Sequence, residues 1–271
     1  MGILNRIVQS TAPWMPKIII GRIASIYVAG DKLEDGIDLV RKLNKKGFVG
    51  TLDLLGEEVK NRRGITKTTN SYCDLIDGIA NSGVDCNISL KLTAIGLKVD
   101  ESLCWDNLSV ILDKAKMYNT FVRMDMEDSE VTESTIKMCK KAVNYYPNCG
   151  TVLQAYMYRT NDDIDLLKGP STNIRLCKGA YKESKDIAIQ DYNKIRENYV
   201  VCAEKMIKNN IYSCFATHDT WIIERIEKLI EKNNFPKKNC EFQALSGVPI
   251  DKTLDDLVSK GYTVRYYIPY G

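Results

Sequence analysis

Histidine is almost missing from this chain: His218 is the only one in 271 residues. A multi-histidine metal centre and a histidine pair are therefore excluded. No C-x-x-C motif occurs, and the nine cysteines (73, 86, 104, 139, 149, 177, 202, 214, 240) are odd in number and scattered. A secreted disulfide scaffold would be far shorter, so these thiols read as small buried hydrophobes in a reducing compartment. No apolar run reaches the ~20 residues of a membrane span. The longest, Pro16–Gly30, is broken by Lys17 and Arg22 and makes no convincing signal peptide. The start MGILNR lacks the Ser/Thr that myristoylation wants at position six. An excess of one charge is missing too: 38 Lys+Arg against 35 Asp+Glu leave +3, which gives no argument for a polyanionic partner such as nucleic acid. The chain is expected in the cytoplasm, with peripheral membrane contact left open.

What is present is ordinary globular composition, 44% hydrophobic and 27% charged. Short β-branched and apolar runs recur along it: Phe48–Leu55, Asn87–Thr93, Thr120–Met126, Thr151–Tyr156, Ile174–Gly179, Tyr212–Thr217, Glu241–Leu245 and Thr263–Ile268. Each has the length of a strand buried on both faces. Helical spacing lies between them, as in Tyr72, Leu75, Ile76 and Ile79, in Leu108, Ile111, Leu112 and Ala115, and in Ile222, Ile223, Ile226, Leu229 and Ile230. Strand alternating with helix predicts βα units and a parallel sheet.

Eight such strands point to an α/β fold of the (βα)8 type, a TIM-like barrel, which routinely fills ~250 residues as one unit. An open doubly wound sheet has the same local pattern, but no G-x-G-x-x-G follows the first strand. Residues 1–46 are expected as a helical segment packed on the barrel, and 47–271 as the barrel itself. The sequence stops at Gly271, just after the eighth strand, so no eighth crossover helix is seen in it. Apolar surface beside strands one and eight then has to be covered by the N-terminal helices, or the sequence is a fragment.

Barrel active sites form at the C-terminal ends of the strands. Polar residues inside the apolar runs gather there: Lys91, Asp125, Glu127, Gln154, Arg175, Lys178, Thr217, His218, Gln243, Arg265 and Tyr267. A charge in a barrel strand must be paired or bind something, because an uncompensated buried charge costs several kcal/mol. Asp125 and Glu127 are candidate counter-ions for Lys91, Arg175 and Lys178. One reading is an internal salt-bridge network; another, favoured by cations on three strands, is an anionic ligand. Asp128, Ser129 and Asp219 stand where helix N-caps are expected. The basic loop Lys60–Arg63 reads as solvated surface.

At these residues the sequence resembles the proline dehydrogenase family, the flavin-dependent proline oxidases, in the short monofunctional bacterial form. The matching blocks are YVAGDKLEDGI, TLDLLGE, ISLKLTAIGL, FVRMDMEDS, VLQAYMYRT, IRLCKGAYKE, FATHD, FQALSGV and VRYYIPYG. The resemblance implies non-covalent FAD at the mouth of a distorted (βα)8 barrel. It implies oxidation of L-proline to 1-pyrroline-5-carboxylate by hydride transfer to flavin N5, with electrons passed to a membrane quinone. Arg175 would tune the flavin. Met126, Gln154, Lys178, Gly179, Ala180, Thr217 and His218 would contact it, with Gly179 letting the backbone approach closely. Lys91 and Asp125 match the substrate-site pair, Asp125 orienting Lys91, and Tyr267 matches the tyrosine that walls the pocket. In the family a helix follows IPYG and carries an Arg-Arg pair that clamps the substrate carboxylate. This sequence stops at Gly271, leaving Lys91 as the matched cation and turnover open to question. Two other readings stand beside this one: a non-catalytic flavin-binding barrel, and a Schiff-base lyase using Lys91 or Lys178.

Overall fold

A computed structural model describes residues 27–56, 59 and 61–271 of the chain. Its strands are β1 (Val49–Leu54), β2 (Cys86–Leu90), β3 (Val122–Met124), β4 (Cys149–Gln154), β5 (Asn173–Cys177), β6 (Tyr212–Ala216), β7 (Cys240–Leu245) and β8 (Thr263–Tyr270). Its helices are α1 (Leu33–Asn44), α2 (Arg62–Ser82), α3 (Glu101–Tyr118), α4 (Ser129–Tyr145), α5 (Thr160–Leu167), α6 (Tyr192–Lys208), α7 (Thr220–Lys232) and α8 (Asp251–Ser259). The strands pair in sequence order, all parallel, and β8 returns to β1 to close the barrel. This is the expected fold class. The strands earn it by their apolar outer face: Ile88, Leu90, Val122, Met124, Leu153, Ile174, Leu176, Phe215, Phe242, Val264 and Ile268 are buried with the inner stripes of the helices.

The crossover helices begin on short polar side chains. Asn61, Asp100, Asp128, Asp191 and Asp219 each accept a hydrogen bond from a backbone N–H of the first turn, which satisfies donors that the helix itself cannot. Asp128 and Asp219 are therefore caps, as their positions suggested.

The flank beside β1 and β8 is covered by α1, the helix before β1. Gly36 lets this helix lie against the sheet: a Cβ there would stand 2.6 Å from Leu52 Cδ2. Val40 packs over Gly50 of β1, and a Gly50 Cβ would meet its Cγ2 at 2.8 Å. The polypeptide before α1 is tied to β8, with Ala29 N donating to Pro269 O and Gly271 N to Gly30 O, both at 2.9 Å. The helices expected within residues 1–26 lie outside the described residues. β8 also continues past the expected end at Ile268. Pro269 lacks an N–H, yet its carbonyl is used by Ala29, so the strand keeps its place to Tyr270.

Candidate active site

Inside the barrel, polar side chains form one connected column. At its lower end Arg265 donates from Nε to Glu241 Oε1 at 2.9 Å, from Nη2 to Glu241 Oε2 at 3.1 Å, and from Nη1 to Gly50 O at 2.6 Å. Gln243 donates to Glu241 from its amide nitrogen and accepts Arg175 Nε at 2.6 Å through its oxygen. Arg175 Nη1 then reaches Asp125 Oδ1 at 2.9 Å, and the Tyr267 hydroxyl donates to Asp125 Oδ2 at 2.9 Å. Ser89 completes the carboxylate's shell. Burial works against ionisation of Glu241, but Arg265 and the hydrogen bonds outweigh it and bring the carboxyl down to about 2. Arg265 was expected at the mouth. It instead sits near the start of β1, opposite Val49, so it anchors the column rather than facing the mouth cavity.

The column ends at a cavity of about 650 Å³ at the C-terminal mouth. The expected residues Lys91, Asp125, Met126, Gln154, Arg175, Lys178, Ala180, Thr217, His218 and Tyr267 all line it. They arrive there because β2, β3 and β5 end earlier than the apolar runs suggested. Lys91, Asp125, Met126 and Lys178 stand just past their strands, where pairing runs out after the last interstrand bonds, Asp125 N to Leu90 O and Tyr156 N to Lys178 O, both at 2.8 Å.

Gly179 is the exception. Its φ is +129°, and a Cβ would fall 2.3 Å from Tyr156 Cδ1. The positive φ and the Tyr156 ring packed against it each favour glycine here.

Each of the three mouth cations has a carboxylate partner. Lys91 Nζ lies 3.0 and 3.2 Å from the oxygens of Asp53; Arg175 pairs with Asp125; Lys178 lies 2.6 Å from Asp219 Oδ2. The salt-bridge network is thus real, with two corrections to its membership. Asp125 holds Arg175, not Lys91. Glu127 is no counter-ion: its carboxylate accepts the N–H and hydroxyl of Thr93.

Asp53 was not singled out from the sequence, although it breaks the run TLDLL by the same rule that selected Lys91. Asp219, read as a cap only, also holds Arg196 Nη2 at 2.8 Å and Tyr192 OH at 2.9 Å. Burial would raise its carboxyl, but the hydrogen bonds from Lys178, Arg196 and Tyr192 bring it to about 2. Tyr181 and Tyr192 complete the cavity wall, and nothing in their spacing announced it.

The pairs leave donors available. Arg175 bonds through Nε and Nη1 only. Lys91 hydrogen-bonds both oxygens of Asp53, and its side chain is 31% exposed. Burial works against the Lys91 ammonium, yet Asp53 and then Asp125 outweigh it and hold it above the ordinary lysine value. A Schiff base needs the neutral amine, so this environment disfavours the lyase reading for Lys91. His218 Nε2 accepts the Leu245 N–H at 2.8 Å, which puts the ring proton on Nδ1. The surrounding wall, and then the Lys178 ammonium, hold its pKa below the usual value. Gln154 bridges the mouth, donating to Glu127 O at 2.9 Å and accepting Ala180 N at 3.1 Å. Among the described residues there is no cluster of metal-ligating side chains, and all nine cysteines are free.

A closed parallel barrel with its polar groups converging on one mouth cavity is the architecture of the α/β-barrel enzymes. Comparison narrows this. The family model described as proline dehydrogenase matches residues 37–271, and the chain belongs to the proline dehydrogenase family. Proline dehydrogenase 2 of Bacillus subtilis (strain 168) is 34% identical over 270 residues, covering 100% of this chain and 86% of that protein. The proline dehydrogenase of Deinococcus radiodurans is 34% identical over 254 residues, covering 92% and 82%. The crystal structure of proline utilization A from Bdellovibrio bacteriovorus inactivated by N-propargylglycine superposes with a TM-score of 0.88 at 23% identity. It covers 94% of this chain and 31% of that one, and this likeness establishes the fold.

Proposed function

We propose that the chain is an FAD-dependent proline dehydrogenase, oxidising L-proline to 1-pyrroline-5-carboxylate in the first step of proline breakdown and passing the electrons to a membrane quinone. The observation that carries this reading is the set Arg175, Asp125, Tyr267 and Lys91 gathered at the rim of one cavity. That cavity is far larger than a proline molecule needs. It has apolar wall for a flat ring system in Val152, Ala216, Ala244 and Leu245, and polar groups at its edges, so the residues present fit a flavin. FAD would supply the two-electron acceptor that no side chain can provide.

The remaining work falls to the protein. Arg175, fixed by Asp125 and Gln243, puts a cation where negative charge collects during the reaction. Lys91 takes the substrate carboxylate in a charge-assisted contact. Tyr267, whose ring lies 5.1 Å from the Arg175 guanidinium carbon, walls the substrate pocket. Met126, Gln154, Lys178, Gly179, Ala180, Thr217 and His218 form the cofactor's surroundings. No described helix is long and apolar enough to cross a membrane. In this reading the enzyme works in the cytoplasm, peripheral at the inner membrane, and meets the quinone there by surface contact.

The test is the visible spectrum of the purified protein, recorded before and after anaerobic addition of L-proline. A flavin spectrum that proline bleaches is expected. A colourless protein that takes up no FAD overturns the cofactor assignment. A flavin that proline leaves oxidised favours the non-catalytic flavin-binding barrel instead.

A further inference from the structure

Behind Lys91 lies a carboxylate with no assigned work. Asp53 stands in β1 opposite Ser89 on one side and Pro269 on the other, so its backbone is fixed by two ladders. The residue is 2% exposed, does not line the mouth cavity, and meets that cavity through Lys91, which it hydrogen-bonds, and through the neighbouring Tyr267 hydroxyl. The groups that face it among the described residues are Lys91 after β2, Asp125 after β3, Tyr267 and Tyr270 of β8, and Tyr72 of α2.

Counting charge at this end of the cavity gives two carboxylates, Asp53 and Asp125, against two cations, Lys91 and Arg175. The site is balanced before any ligand arrives. A ligand carboxylate on Lys91 makes the count three anions to two cations in a poorly solvated place, and the cheapest remedy is a proton.

We propose that Asp53 is the proton acceptor of this site, taking up one proton as a ligand carboxylate takes over Lys91. The inference rests on the proline dehydrogenase reading for the identity of the substrate. Proline arrives as a zwitterion and must lose an ammonium proton before its C5 can give up a hydride. The Lys91 ammonium passes one N–H proton to an Asp53 oxygen, 3.0 Å away, and is replenished by one from the substrate nitrogen. The substrate N–H bond breaks with its electron pair left on nitrogen, an O–H bond forms on Asp53, and Lys91 stays cationic. Asp53 is suited to this: burial pushes its carboxyl up to about 6, even against the pull of Lys91. An added anion beside it raises the proton affinity further. Asp125 is the poorer acceptor, since Arg175, Ser89 and Tyr267 already hold both its oxygens.

The experiment is calorimetric titration of the FAD-loaded protein at about pH 7.5 with cyclopentanecarboxylate, a ring carboxylate with no nitrogen. It is repeated in buffers of different ionisation enthalpy. Uptake of close to one proton per ligand is expected for the wild type, and close to none for Asp53→Asn, which should bind the carboxylate without that linkage. Proline, which brings its own proton, should show little uptake in either. Failure of the wild type to bind cyclopentanecarboxylate, binding without proton uptake, or uptake that persists in Asp53→Asn would each overturn the proposal. If Asp53→Asn does not fold, infrared difference spectra of the wild type decide: a new aspartic-acid C=O band on ligand addition supports the proposal, and its absence refutes it. These measurements need no turnover. A wild type that binds with proton uptake but is not bleached by proline would sink the catalytic reading and leave this one standing.

Discussion

Arg175 shows how a barrel keeps a guanidinium rigid. Gln243 holds Nε, Asp125 holds Nη1, and the Tyr267 ring lies alongside. Such a cation pays no reorganisation cost when charge develops next to it. Arg175→Ala should therefore slow flavin reduction by proline about 100- to 1,000-fold, the usual consequence of deleting one preorganised electrostatic group. Single-turnover absorbance, with circular dichroism as the folding control, measures this; a folded, flavin-loaded variant reduced at the wild-type rate would remove Arg175 from the reaction. At this scale the sequence was partly legible. A lysine or arginine in an apolar run has to be explained, and that rule found Arg175, Lys91 and Lys178. It did not say which carboxylate each would meet, because pairing depends on how β1, β3 and the start of α7 turn their side chains across space. Asp53 and Asp219 were on the page as letters, but their partners lie 38 and 41 residues away.

Among the elements, the strands were legible because a parallel barrel buries both their faces, so each reads as an uninterrupted apolar run. Their C-terminal ends were not. The run ISLKLTAIG continues apolar beyond β2 because Thr93–Ile95 form a buried 3-10 turn, and an apolar residue under a turn looks like one in a strand. The element whose role could not be settled from sequence was α1, since periodicity gives a helix an apolar face but not an address. The structure puts it on the β8–β1 seam, where Gly36 meets Leu52. Gly36→Val should cost about 1–3 kcal/mol, because the added carbons overpack a filled interface. Denaturant unfolding is the measurement, and a variant as stable as the wild type would mean that α1 lies less closely on the sheet.

For the whole molecule, the network around Asp219 ties the β5–β6 end of the mouth to α6 and α7, and its stability should carry a pH signature. The carboxyl is held at about 2 against an ordinary 3.8. A folded pKa below the unfolded one contributes stability that is present above pH 3.8 and lost as pH falls toward 2. The expected size is about 1 kcal/mol, because solvent reaches Lys178 and Arg196 and screens the network. Asp219→Asn keeps an N-capping side chain but loses this linkage. It should be less stable than the wild type near neutrality, with the two curves converging in acid. Equal stability of the two proteins at pH 7 would show the network to be energetically neutral.

The seam between β8 and β1 also governs how the chain can reach its native state. Arg265 and Gly50, joined by a hydrogen bond, are 215 residues apart in sequence. Bringing such distant segments together carries a loop-closure entropy that nearer strand pairs do not face, and contacts of this span slow folding. Until β8 docks, β1 presents an unpaired edge and Glu241 lacks the guanidinium that neutralises it. Seven strands in place are thus still an open, sticky sheet with a buried charge exposed to the wrong surroundings. Pairing β8 with β1 removes the free edge and supplies the Glu241 counter-charge together, so only the closed barrel has neither defect.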